Sequence, residues 1–175
     1  VGADDEARSP QVRGPFPDID LARVTAFIAE AVAGKLMVVQ AAVPAMRARG
    51  AGSVVFVTSE GGRMPTPGQT AIATFSGGLV HVGKLLSKEL AQDRIRVNTC
   101  CVTVVRDTPS WNAAFEQEGG VSAQHRRQYE AILERAPFGV ASPAEIAEVV
   151  GFLASDAALY LTGAVLSPTG GLTLH

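Results

Sequence analysis

The run Val54-Val55-Phe56-Val57-Thr58 limits the folds open to this chain more than any other stretch. It is apolar or β-branched throughout and stops at the polar turn Ser59-Glu60-Gly61-Gly62. That composition suits a buried strand. A long helical pattern lies on each side of it. Before it, Val24, Phe27, Ile28, Val32, Leu36, Val39, Val43 and Met46 predict a helix over about 21–48. Asp18 or Asp20 would cap its start, and Arg47, Arg49 and Gly50 end it with cations followed by glycine. After the strand come a helix over about 71–92 and a short strand from Arg94 to Cys101. Ser142-Pro143-Ala144-Glu145 is a capping box with proline at the first helical position, and its helix runs to about Ala154. A last strand, Ala164 to Ser167, precedes Gly170-Gly171. Strands that alternate with helices pair in parallel through right-handed crossovers, so the fold class is α/β.

The 175 residues make one domain, 1–175, with a loop over 1–20 and a polar, lid-like excursion over 106–136 that holds one or two short helices. An apolar share of 47% against 18% charge sets the chain apart from disordered sequences. A net charge of −2 gives no reason to expect a nucleic-acid partner, and no uninterrupted apolar run suggests a membrane one. Cys100 and Cys101 are adjacent in a strand, so their side chains point to opposite faces, and they read as structural thiols of a cytoplasmic protein. His81, His125 and His175 have no ligand spacing, so no metal site is expected. Three strands are few for a parallel sheet. The chain also opens at Val1-Gly2-Ala3 without methionine or a strand signal. Both observations lead to the expectation that more strands lie upstream or come from another chain.

Several stretches resemble the short-chain dehydrogenase/reductase family. Val39-Gln40-Ala41-Ala42-Val43-Pro44-Ala45-Met46 is similar to the end of the family's central helix. Leu86-Ser87-Lys88-Glu89-Leu90, followed by Ile95-Arg96-Val97-Asn98, is similar to its dimer helix and next strand. Phe152-Leu153-Ala154-Ser155-Asp156, Tyr160-Leu161-Thr162-Gly163 and Gly170-Gly171 match its C-terminal signature. Order and spacing carry the resemblance over about 15–174. It implies a Rossmann-like, doubly wound parallel sheet that lacks the N-terminal βαβ cofactor-binding half.

The resemblance makes Ser59 the retained catalytic serine. The family's tyrosine follows thirteen residues later and its lysine four beyond that, which lands on Ile72 and Ser76. Its asparagine falls on Ala31, and the proline-glycine pair beside the nicotinamide becomes Val102-Thr103, the weak cofactor-binding positions. Ile72 cannot titrate and Ser76 supplies no cation, yet general acid–base work needs a titratable group within reach. Among other candidates, Tyr160 reads as a packing residue, Tyr129 and Lys84 as surface residues, and Glu60 as a solvated turn carboxylate. Gly77-Gly78 lies within a helix and suits close helix packing rather than a phosphate cradle.

The expectation is a catalytically degenerate family member, a non-catalytic or structural subunit. It would form a homo-oligomer, or a hetero-oligomer with a catalytically competent subunit, through the helices over 21–48 and 71–92. The alternative is an NAD(P)-dependent oxidoreductase, or another enzyme of this fold, with atypical catalytic residues. A third reading is a ligand-binding protein that uses the vacated cleft. No cofactor is expected for this chain alone; NAD(P) enters if an N-terminal half exists.

Overall fold

A computed structural model of the protein describes residues 12–117 and 120–174. Residues 1–11 of the predicted N-terminal loop lie outside the described residues. Helix α1 spans Leu21–Arg49, strand β1 Gly52–Ser59, helix α2 Thr70–Glu89 and strand β2 Ile95–Val102. Two short helices follow, α3 at Pro109–Phe115 and α4 at Ala123–Arg135. Helix α5 at Pro143–Ala154 and strand β3 at Val165–Leu166 complete the order. The sheet has the order β1-β2-β3 with both pairings parallel. Gly52 pairs with Ile95 and Ser59 with Val102, so the strand ends that carry the polar turns lie side by side.

The helix ends follow the sequence signals. Asp20 accepts from the amides of Ala22 and Arg23, and Gly50 closes α1 in the left-handed conformation at φ 74°. Ser142 and Glu145 form the reciprocal capping box of α5, and Ser142 holds the Glu145 carboxyl below its ordinary value. At the other end of α5, the Arg96 guanidinium donates to the carbonyls of Leu153, Ala154 and Ser155. These are the unpaired C-terminal acceptors of a helix, so one strand cation fixes α5 against the sheet.

Helices α1 and α2 pack on one side of β1 and β2. Val54, Phe56, Leu79, Leu90, Ile95 and Val97 form the main core there, with Leu36, Val39, Val43 and Met46 against it. Helix α5 lies against the same strands through Ser53 and Arg96. Burial alternates along β1, with Phe56 buried and Val57 exposed, so the strand is covered on one face more fully than its uniform apolar run suggests.

Among the described residues α1 is long and apolar enough to cross a membrane by length and composition, with a hydropathy of 1.6. Glu30 and Lys35 interrupt it, which is why a search for unbroken apolar runs passes over it. The expected excursion over 106–136 contains α3 and α4, which share a core of Val104, Ala114 and Tyr129 with Trp111 and Phe115 beside it. The last strand is shorter than its sequence run, because only Val165 and Leu166 meet β2.

Asn98 is fully buried in β2. It donates to Leu161 O at 2.9 Å and accepts from Ala164 N at 3.0 Å, tying the C-terminal segment to the sheet. Asn98→Ala strands both groups in the interior. Urea unfolding should show a loss of about 2–4 kcal/mol, seen as a lower midpoint at unchanged slope. A loss below about 1 kcal/mol would contradict this role.

Candidate functional site

The C-terminal ends of β1 and β2 open onto a cleft of about 390 Å³. Ser59, Glu60 and Gly61 form one wall, Thr103 and Val104 another. Gln128, Tyr129, Ile132 and Arg135 of α4 close the far side, with Arg13 and Thr173 at its borders. Parallel sheets present their strand ends in this way, and open α/β folds bind ligands there.

Ser59 and Thr103 both line the cleft, and Val102 is the register partner of Ser59. Ser59 Oγ accepts from the Gly61 amide at 3.1 Å and caps the turn Glu60–Gly62. Ser76 is fully buried, and its Oγ accepts from the Ser59 amide at 3.4 Å. The lysine position thus holds a side chain turned into the packing. Close approach explains the burial: a Cβ at Gly62 would lie 2.5 Å from the Ser76 carbonyl carbon.

Ile72 and Ala31 do not face the cleft. Both pack on a cluster of Val12, Ile19, Val24, Phe27 and Ala71. Phe75 joins them, and its ring meets Phe27 edge-on at 5.5 Å. Such a pair adds about 0.5–1.5 kcal/mol beyond its burial. Ala31 and Ile72 thus belong to one piece of hydrophobic core.

Three expectations are corrected. Glu60 is not a solvated turn carboxylate: it is 3% exposed, accepting from Ser167 Oγ at 2.6 Å and Thr173 Oγ1 at 3.0 Å. The C-terminal segment folds back over the turn and buries it. Tyr129 is not a surface residue but 8% exposed, because α3 and α4 pack on each other. Its hydroxyl lies 2.8 Å from Ser110 Oγ. Tyr160 is not a packing residue within this chain: it is fully exposed, beside exposed Leu159.

Sequence reasoning did not single out Arg13. Its guanidinium contacts the ring of buried His125, which stands edge-on to Tyr129 at 4.6 Å. Burial pushes Arg13 below its ordinary pKa, and the Tyr129 phenol opposes that shift. Residues 112 apart meet here, and no local pattern announces such a meeting.

The chain matches a family model described as Enoyl-(Acyl carrier protein) reductase over residues 5–173. It is 36% identical over 142 residues to 3-oxoacyl-[acyl-carrier-protein] reductase FabG of Thermotoga maritima, covering 81% of this chain and 53% of that protein. It is 35% identical over 133 residues to a tropinone reductase homolog of Arabidopsis thaliana, covering 75% of this chain and 40% of the other. An oxidoreductase of the short-chain dehydrogenase/reductase family from Burkholderia thailandensis superposes with a TM-score of 0.78 at 30% identity, over 91% of this chain and 60% of that one. The chain belongs to the short-chain dehydrogenase/reductase family. It spans about half the length of the curated relatives it matches.

The family implies a nicotinamide cofactor, and the residues present here do not fit its reactive end. The position that would hold the ribose is Ser76, which is buried and turned to the Ser59 amide. The positions that would face the reaction are apolar core. Among the described residues, no group of three or more His, Cys, Asp or Glu is placed to hold a metal.

Cys100 and Cys101 are buried and unbridged. Burial, with Glu60 nearby, pushes the Cys101 thiol up to about 12, and burial raises Cys100 as well. At pH 8 the Cys101 thiolate fraction is then on the order of 10⁻⁴. Iodoacetamide at pH 8 should leave both cysteines unmodified in the folded protein and alkylate both in guanidinium, as read by intact mass. Rapid labelling of the folded protein would contradict the burial.

Proposed function

We propose that this chain is a non-catalytic subunit of short-chain dehydrogenase/reductase fold. It works in the cytoplasm as a homo-oligomer or beside a catalytically competent member of the family. One observation carries the reading: Ala31 and Ile72 are packed with Phe27 and Phe75 where the family's asparagine and tyrosine would work. Neither can move a proton, and the buried Ser76 cannot lend a positive charge. Catalytic groups that act as a unit lose nearly everything when their members are lost.

The outer surfaces support the subunit role. A groove between α1 and α2, lined by Leu36, Val39, Val43, Val82, Leu86 and Leu90, measures about 700 Å³. Met37 and Val38 beside it are 67% and 70% exposed. An apolar surface of this kind suits helix-to-helix association. Leu159 and Tyr160 offer a second exposed apolar group near the C-terminal strand.

One observation favours the alternative, an enzyme of this fold with atypical residues. Tyr129 lines the same cleft as Ser59 and carries a polar partner on its hydroxyl. In that reading NAD(P) would be the cofactor. Absorbance at the nicotinamide band, with NADH or NADPH and a panel of ketones and alcohols, separates the two. The subunit reading expects no oxidation above the enzyme-free rate. Turnover on the order of 1 per second that disappears in Tyr129→Phe would establish the alternative.

A further inference from the structure

Arg13 has no anion. The Arg13 guanidinium contacts the ring of His125. Its Nε is sealed from water and donates to nothing. Among the described residues no carboxylate stands within ion-pair distance of it. A buried donor without an acceptor is unfavourable. A ligand that supplies an acceptor would complete this donor. The open space that Arg13 borders is the cleft at the strand ends.

The remaining lining says what would complete it. Arg135, at the end of α4, borders the same cleft and has no partner among the described residues. Glu60, the acidic residue of the lining, has both carboxylate oxygens accepting from Ser167 and Thr173. Two arginines thus face one carboxylate that is already engaged, which leaves the cleft cationic. The same lining includes apolar Met64, Val104, Ile132 and Leu172. A guanidinium prefers the planar, two-oxygen acceptor of a carboxylate.

We propose that the cleft binds a small organic carboxylate with an apolar body, its carboxylate completing Arg13 and its body resting on Met64, Val104, Ile132 and Leu172. Binding involves no covalent step and does not depend on whether the chain is catalytic. Association and nicotinamide assays therefore leave this proposal standing or falling on its own test.

The probes are phenylacetate and hexanoate, with phenylacetamide and hexanamide as neutral controls of equal shape. Isothermal titration calorimetry on the full chain measures affinity. Fluorescence of the single tryptophan, Trp111, whose ring lies 4.5 Å from that of Phe115 in the Tyr129 cluster, gives a second readout. At least one carboxylate should bind, and its amide should bind about ten- to a hundredfold more weakly. Arg13→Gln should bring the carboxylate down to the amide's affinity. Arg135→Gln alters an exposed, unpaired side chain and keeps the fold. It should weaken the carboxylate by a smaller factor and leave the amide unchanged. If Arg13→Gln does not fold, the Nε–H resonance of Arg13 in the wild type replaces it: it should move on adding carboxylate and stay still on adding amide. No binding by either carboxylate, equal binding of acid and amide, or an unmoved Arg13 resonance on saturation each overturns the proposal.

Discussion

Helix α2 sits against the sheet only because glycine leaves room for it. A Cβ at Gly83 would lie 2.7 Å from Thr99 Oγ1, and Gly62 leaves comparable space under Ser76. Glycine within a helix costs about 1 kcal/mol relative to alanine, so a tight seat has to return more than that in packing. Leu79 is fully buried at this seat, with Phe56, Ile95 and Val97 around it. The rest of the molecule depends on the same contact. It sets which residues of α2 reach the strand ends, which join the core, and which remain outside.

Three consequences follow along one helix. At its start, Ile72 and Phe75 turn toward α1 and join Phe27 in the second core cluster. One turn on, Ser76 is held beneath the Ser59 amide. Further along, Val82, Leu85 and Leu86 border the outer groove shared with α1. Along this helix Ile72 and Phe75 join a hydrophobic cluster and Ser76 is buried, while the helix packs beside the turn that carries Ser59. Scaffold and reaction centre are separable because one depends on shape and burial and the other on particular titratable groups.

The scaffold was legible in the sequence because its signals are local. Asp20, Gly50 and the Ser142 capping box mark their helix ends by residue type, and the Val54 run marks β1. Positions 31, 59, 72 and 76 were singled out by resemblance; Ser59 lines the cleft and Ser76 bonds its amide, while Ala31 and Ile72 pack in a separate hydrophobic cluster. What stayed hidden depends on distant partners. Glu60 is buried by Ser167 and Thr173, more than a hundred residues away. Arg13 finds His125 across 112 residues, and Tyr129 becomes interior only when α3 and α4 close on each other. Tyr160 illustrates the opposite case. Its motif suggests packing, but a single chain provides nothing for it to pack against.

The proposed subunit role rests on the apolar groove between α1 and α2. Gly78 gives a clean way to ask whether a covering subunit is present. A Cβ there meets nothing within 4 Å, so a larger side chain leaves the isolated fold undisturbed and obstructs only a neighbour. Sedimentation velocity of the wild type and Gly78→Leu at micromolar concentration is the direct measurement. The account predicts that the wild type sediments as an oligomer. Gly78→Leu should shift to smaller species while its circular dichroism stays that of the wild type. A wild type that sediments as a monomer across that range contradicts the account.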